Sequence, residues 1–160
     1  MGGLMDRALV EFMVDKCILP TWGPGKQIKI ALIGERKDTK SKGSLAYLIH
    51  KRFRVDLKKI TIFTESKKFR ACDGRRFELL IGTRPCNADK LILKAAEKYD
   101  KQFILIPCAC GRYGKRVMDL IRNYPVIEEL SCRSEMFINS KTGKKTYYKH
   151  GWVIFYNKKG

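Results

Sequence analysis

The 160-residue sequence is short of acidic residues and histidine, and it has no long apolar run. It holds 16 Asp and Glu against 34 Lys and Arg, which gives a formal net charge of +18. No segment approaches the roughly 18–20 consecutive apolar residues that a membrane-spanning helix needs. The first residues also lack the charged, apolar and small regions of a signal peptide. We therefore expect neither export nor a membrane span.

The six cysteines do not have the spacing of metal ligands. Structural zinc sites take ligand pairs at C-x₂₋₄-C spacing, whereas the closest pair here, Cys108 and Cys110, is separated by one residue. The two histidines, His50 and His150, are isolated in the sequence. We expect no metal, with zinc as the minor alternative. Because no export signal is present, we expect reduced thiols in a cytoplasmic, reducing compartment.

The positive charge is concentrated in two segments. Residues 35–76 hold fourteen basic and five acidic residues, and residues 133–160 hold seven basic and one acidic. Such an excess favours a polyanionic partner, most simply RNA or another nucleic acid. Plain solubility is one alternative. An acidic membrane surface is another, but no basic amphipathic helix with an aromatic face supports it, so we expect no membrane partner.

The cations that we expect to contact nucleic acid lie mainly in loops and near helix starts. They are Lys40, Lys42, Lys67, Lys68, Arg70, Arg84, Arg112, Lys115, Arg116 and Lys149. Lys149 belongs to the tail 147–152, which mixes aromatic rings with cations as single-strand binding surfaces do. Core packing is the alternative for half of those rings, because a strand buries every second side chain.

Apolar strands alternate with helices along most of the sequence. Helices are predicted at residues 4–17, 44–53, 88–99 and 114–123, and strands at 28–33, 59–64, 77–82, 103–108, 126–131, 135–139 and 146–156. Ser44 and Asn87 are expected N-caps, and the first helix is expected to stop at the turn residues that begin with Pro20.

This alternation predicts an α/β fold with crossover helices. We expect one domain over residues 1–160, with an N-terminal helix in residues 1–20. The sheet is expected to be the middle of a three-layer, Rossmann-like, mostly parallel arrangement. A C-terminal antiparallel hairpin in residues 133–160 is expected to add strands at a sheet edge.

Ligands of such sheets bind beyond the carboxyl ends of the strands, near the switch in strand order. Glycines after the first predicted strand, Gly34 and Gly43, would let a ligand approach the backbone. A carboxylate after the second strand, Glu65, can accept both hydroxyls of a ribose. Glycines that only permit turns, and a Glu65 that pairs with nearby lysines, are the alternatives. For Asp73, which precedes a glycine, an ordinary turn is favoured.

Residues 77–112, FELLIGTRPCNADKLILKAAEKYDKQFILIPCACGR, resemble one block of the class I S-adenosylmethionine-dependent methyltransferases. The block is similar to the subgroup whose fourth strand ends in a Gly-Leu-His-Ala-Cys-Gly type of turn and whose fifth ends in Pro-Cys-Cys. Here residues 82–86 and 107–110 stand at those turns. Residues 41–53 are similar to the family's Gly-x-Gly-x-Leu loop and first helix, with Gly43 and Leu45 matching.

The resemblance implies a compact S-adenosylmethionine-dependent methyltransferase, and the positive charge makes RNA its expected substrate. It implies a cofactor site formed by Gly34, Gly43, Glu65, Asp73, Gly82 and Thr83. It also places the methyl acceptor near Cys86, Pro107 and Cys108, which we take as the candidate catalytic residues. Methyl transfer does not generally require a cysteine nucleophile, because the sulfonium supplies the driving force and alignment carries most of the catalysis.

The sequence also departs from that family's pattern. A long basic run, residues 35–42, replaces the compact glycine loop, and Arg84 stands where the turn has histidine. About a dozen residues separate the second strand from residue 77, where the family has a further helix and strand, so one β–α unit is missing. These departures support a second hypothesis, a non-catalytic nucleic-acid-binding protein with the same fold. A third, a phosphate-ligand enzyme of another α/β type, lacks the G-x-x-x-x-G-K-[ST] spacing.

Overall fold

The computed structural model describes residues 3–64, 69–85, 88–106, 127–132, 137–138, 141–143, 145–146 and 152–157. Its α-helices are α1 (Gly3–Met13), α2 (Leu19–Trp22), α3 (Leu45–Phe53) and α4 (Asp89–Tyr99), with a π-helical turn at Val14–Ile18 and 3₁₀ turns at Leu57–Lys59 and Ala71–Arg76. Its strands are β1 (Ile30–Glu35), β2 (Ile60–Thr64), β3 (Leu79–Thr83), β4 (Gln102–Ile106), β5 (Ile127–Cys132), β6 (Phe137–Ile138), β7 (Lys145–Thr146) and β8 (Trp152–Asn157).

Six strands form one mixed sheet in the order β2-β1-β3-β4-β8-β5. Strands β2, β1, β3 and β4 are parallel neighbours, and β8 runs antiparallel between β4 and β5. The predicted α/β, Rossmann-like, mostly parallel sheet is therefore confirmed. The sheet ends at β2, so in the described residues no strand of a further β–α unit lies beyond it.

Helices cover both faces of the sheet, as the three-layer prediction requires. Successive residues of a strand point to opposite faces, so Leu32 packs with α1 and α3, whereas Ala31 packs with α4. The same alternation divides Ile81 from Leu80 on β3. Burial of each large apolar side chain contributes about 1.5–3 kcal/mol, so these two clusters fix which face each helix occupies. Within the described residues, no helix is both long and apolar enough to cross a membrane.

The N-terminal helix continues past Pro20, so the predicted stop at that residue is wrong. A proline ring clashes with the carbonyl four residues earlier and cannot donate a hydrogen bond. The chain meets this constraint with a π-helical turn at Val14–Ile18, after which Pro20 lies in the first turn of α2. The helix then ends at Gly23, whose φ is +81°.

The carbonyl of Cys17 links this irregular turn to strand β8. It accepts hydrogen bonds from Thr21 Oγ1 at 2.8 Å and from the Tyr156 hydroxyl at 3.1 Å. The two hydroxyls also lie against each other. Tyr156 is 2% exposed, so a hydroxyl from the far end of the chain satisfies a buried helix carbonyl.

An ion pair and a cap hold α3 in place, whereas α4 begins without a side-chain cap. Arg52 of α3 donates two hydrogen bonds to Asp15, at 2.6 and 3.1 Å, and this contact raises the pKa of Arg52 above its ordinary value. Ser44 caps α3 as predicted, because its hydroxyl accepts from Tyr47 N at 3.1 Å. Ala88 is the N-cap of α4 and makes no side-chain cap, while the expected cap Asn87 lies outside the described residues.

The C-terminal part differs in detail from its prediction. A short hairpin, β6–β7, forms a sheet of its own, with Gly143 at φ +66° between its strands. The antiparallel strand of the main sheet is β8, and it is interior rather than at an edge. Strand periodicity predicts that a segment is a strand, but the position of that strand depends on long-range pairing that the pattern does not encode. The predicted helix 114–123 lies outside the described residues.

We predict that Tyr156→Phe lowers the free energy of unfolding by about 1–2 kcal/mol, because the Cys17 carbonyl loses a buried donor. Urea denaturation checks this value. Tyr99→Phe is the matched control, since Tyr99 is half-buried on α4 and its hydroxyl has no hydrogen bond within the described residues. Equal stability of the two variants would contradict the prediction.

Candidate active site

Four parallel strands end at one edge of the sheet. Because β2, β1, β3 and β4 are parallel neighbours, their last residues, Thr64, Glu35, Thr83 and Ile106, lie along the same edge. This confirms the predicted alignment of the strand ends. We call these carboxyl ends of the four strands the strand tips.

The order of strands switches between β1 and β3. The chain leaves β1 for α3, which packs on one face, and it leaves β3 for α4, which packs on the other. The two connections therefore separate at the strand tips. In open α/β sheets this is where a crevice for ligands forms.

A carboxylate and a hydroxyl meet at this switch point. Thr83 Oγ1 donates a hydrogen bond to Glu35 Oε1 at 3.0 Å, and both residues are half-buried. The pairing of β1 with β2 shifts register between Ile33 and Glu35, and irregularities of this kind turn side chains toward sites at strand ends. Glu35 was not among the predicted cofactor-binding residues, although the rule that selects strand ends applies to it.

Gly34 lies against the turn that follows β3. Its φ is +105°, and a Cβ atom there would lie 2.5 Å from the Thr83 carbonyl oxygen and 3.1 Å from Pro85 Cα. Only glycine fits this backbone contact without a shift of the turn. The structure thus gives Gly34 a packing role at the crevice wall, and its predicted contact with a cofactor stays a prediction.

The other two candidate glycines have different surroundings. A Cβ atom at Gly82 would lie 2.6 Å from Ile92 Cδ1 and 2.9 Å from Leu105 Cδ1, so Gly82 allows α4 to pack closely on β3. Gly43 has a φ of +93° in the turn before α3, and a Cβ atom there would meet nothing within 4 Å. The backbone at Gly43 is therefore open to a ligand, whereas the backbone at Gly82 is covered by side chains.

Asp73 is held by its own turn. Its carboxylate accepts from Arg70 N at 2.9 Å and from Arg76 Nη2 at 3.4 Å, and its side chain is 14% exposed. The turn Ala71–Arg76 leads directly into β3, and Gly74 packs against Ala95 of α4. The ordinary turn that the sequence favoured is thus present, on the connection that enters β3.

The described cations lie in separate places. Lys40 Nζ donates to the Leu57 carbonyl at 2.7 Å, so Lys40 holds the loop after β1 to the segment that enters β2. Lys42 is exposed in the same loop. Arg84 has a φ of +49° directly after β3, and its N–H donates to the Ile106 carbonyl at 2.9 Å. Arg70 is exposed beside Asp73.

The remaining candidates lie outside the described residues and stay predictions. They are Glu65, Lys67, Lys68, Cys86, Pro107, Cys108, Arg112, Lys115, Arg116 and Lys149. All three candidate catalytic residues belong to this set. In the part of the chain that is described, no group of three or more His, Cys, Asp and Glu side chains is arranged to hold a metal ion.

Solved structures are similar to this chain at low sequence identity. Precorrin-6y C5,15-methyltransferase from Geobacter metallireducens GS-15 is 9% identical, with a TM-score of 0.54 over 94% of this chain and 85% of that chain. The two proteins share a fold. Precorrin 8w decarboxylase from Methanobacterium thermoautotrophicum is 11% identical, with a TM-score of 0.49 over 88% of this chain and 87% of that chain. No family model and no curated protein matches the sequence.

The likeness to the methyltransferase supports the Rossmann-like α/β fold, which this chain therefore has in common with a methyltransferase. At 9% identity it says nothing about individual residues. The chemistry of the site depends on the residues at the strand tips.

We predict that Gly34→Ala lowers the free energy of unfolding by about 2–4 kcal/mol, because it adds a backbone clash to a left-handed conformation. Gly43→Ala is the matched control. It carries the conformational strain without the clash, so its cost should be about 1–2 kcal/mol. Urea denaturation of both variants measures the difference, and equal losses would show that the contact with Thr83 has no energetic role.

Proposed function

We propose that this chain is an S-adenosylmethionine-dependent methyltransferase that acts on RNA. The cofactor would bind at the strand tips, between β1 and β3. The observation that carries the proposal is the switch in strand order between β1 and β3, where the Glu35–Thr83 pair lies. The Rossmann-like fold shared with a solved methyltransferase supports it.

The groups at this crevice fit the ribose of an adenosine-bearing cofactor. A ribose presents two hydroxyl donors, and a carboxylate such as Glu35 accepts them. Thr83 fixes the orientation of that carboxylate through its hydrogen bond of 3.0 Å. The open backbone at Gly43, next to the start of α3, leaves room on that side. When bound, the cofactor would supply a methyl group on a sulfonium, and the residues of the chain would orient it.

The charge supports RNA as the acceptor. The net charge of +18 favours a polyanion. Arg84 follows the last residue of β3, so it brings a cation to the edge where methyl transfer is proposed. The hydrogen bond from its N–H to Ile106 joins this turn to β4. An RNA phosphate held here would lie at the ends of β3 and β4.

We predict that Glu35→Gln weakens the binding of S-adenosylhomocysteine, the demethylated product of the cofactor, by roughly 10–100-fold, because hydrogen bonds to a charged group are worth about 1.5–3 kcal/mol. Titration calorimetry checks this prediction. Glu97→Gln, an equal change of charge on the exposed part of α4, should leave affinity unchanged. A wild-type chain that binds no product at millimolar concentration would refute the proposed cofactor site.

RNA binding without methyl transfer is the second candidate function. One contact favours it: Lys40 holds the loop after β1 to Leu57, near the start of β2. A loop held there is not the compact glycine loop of the methyltransferases that the sequence resembles. The two candidates differ in one measurement, which is the transfer of labelled methyl groups from S-adenosylmethionine to RNA. RNA binding without product binding or methyl transfer would establish the second candidate.

A further inference from the structure

We propose that a basic groove at the amino ends of β1 and β2, opposite the strand tips, binds the phosphates of single-stranded RNA. The groove lies between the end of α3 and the segments that enter β1 and β2. It is lined by Gln27, His50, Lys51, Arg54, Val55, Asp56, Leu57 and Lys59. The proposal shares its kind of partner with the proposed function but requires no cofactor and no methyl transfer.

The wall of the groove is held in place by Gln27. Its Nε2 donates to the carbonyls of Gly25 and Arg54, at 2.8 and 3.0 Å, and its Oε1 accepts from Asp56 N at 2.8 Å. The side chain amide therefore joins the segment before β1 to the segment before β2. A site whose backbone is fixed in this way loses little entropy when a ligand binds.

His50 offers a ring to this groove. Its Nδ1 lies 2.6 Å from the Val55 carbonyl, and because a carbonyl only accepts, Nδ1 carries the hydrogen. In the neutral ring the other nitrogen, Nε2, then has no hydrogen, so it can accept a hydrogen bond from a base but cannot donate one to a phosphate. Imidazole rings also provide stacking surfaces for unpaired bases. This combination of a ring with cations favours a single strand over a duplex.

The cations of the groove are not neutralised by the protein. Within the described residues, Lys51, Arg54, Lys58 and Lys59 form no ion pair. Arg52, one residue from Lys51, contrasts with them because Asp15 and Glu11 surround its guanidinium. The one carboxylate in the groove lining, Asp56, accepts from Lys58 N at 2.9 Å and caps a 3₁₀ turn.

Arg54 has a backbone conformation that arginine rarely takes. It follows the last residue of α3 with a φ of +63°, a position where glycine is the usual residue. Helix α4 ends in the same way at Asp100, so what distinguishes Arg54 is the exposed cation that it brings to the groove. Cations near a helix C-terminus also stabilise the helix dipole, but Lys58 and Lys59 lie outside α3, so the dipole does not account for the whole cluster.

The loop after β1 extends the same surface. Lys40 donates to the carbonyl of Leu57, which is itself a lining residue of the groove. The exposed Lys42 follows two residues later. A strand of RNA in the groove would therefore have a cationic path along the β2 side of the molecule, toward the strand tips.

The first test is the double variant Lys51→Gln/Lys59→Gln, measured by fluorescence anisotropy with labelled oligouridine at several salt concentrations. Each lost phosphate contact should lower the slope of log affinity against log salt by about 0.7. The matched control is Lys90→Gln/Lys94→Gln, which removes two exposed cations of α4. The control should keep the affinity and slope of the wild-type chain.

A second variant separates binding from folding. Arg54→Gly removes a cation and places the preferred residue at a positive φ, so it should raise the melting temperature by roughly 2–4 °C while it weakens RNA binding. A merely structural arginine would give no loss of affinity. The double variant should lower the melting temperature only slightly, because its lysines form no ion pair and Lys51 loses only an exposed contact with the Tyr47 ring and with the dipole of α3.

Three outcomes would overturn the proposal. In the first, the groove variants match the control variant in affinity and in salt slope. In the second, the wild-type chain does not bind oligouridine. In the third, the groove variants bind oligouridine as the wild-type chain does and lose binding only to vesicles of phosphatidylglycerol. Binding of S-adenosylhomocysteine is measured in parallel and should not change in any groove variant. If that product binds to no variant while the groove results hold, the cofactor site alone fails.

Discussion

The contact between Gly34 and the turn after β3 is the constraint on which the strand tips depend. Two backbone segments approach so closely that a single added carbon would lie 2.5 Å from the Thr83 carbonyl oxygen. The contact sets the spacing between the ends of β1 and β3. It also brings the next residue on β1, Glu35, within hydrogen-bonding distance of Thr83. A packing requirement and the proposed cofactor site thus share the same two strand ends.

The two ends of the parallel strands have different chemistry. At the strand tips, a carboxylate and a hydroxyl meet beside a switch in strand order. At the amino ends, lysines and an arginine line a groove whose wall is held in place by Gln27. Helices cover both faces of the sheet between these two ends, so the two proposed sites are separated by the length of the strands. The cofactor and the nucleic acid proposed here therefore need not compete for the same surface.

Local patterns in the sequence predicted the strands, helix α3 with its cap at Ser44, and the common edge of the strand tips, because each depends on periodicity or on one side chain. They failed where distant segments decide the outcome. Pro20 does not end the first helix because a π-helical turn and a hydroxyl from β8 accommodate it. The groove was also missed, since Gln27 and Lys59 meet only through the tertiary structure, and the basic excess in residues 35–76 was its one trace in the sequence.

The interior place of β8 has a consequence for how the molecule is assembled. Among the described strands, β5 joins the sheet only through β8, although it precedes β8 by some twenty residues. On a ribosome, β4 would therefore emerge with an open hydrogen-bonding edge that stays uncovered until residues 152–157 are translated. Exposed edges of this kind promote association between chains, so the nascent protein is most vulnerable to aggregation just before that strand is synthesised.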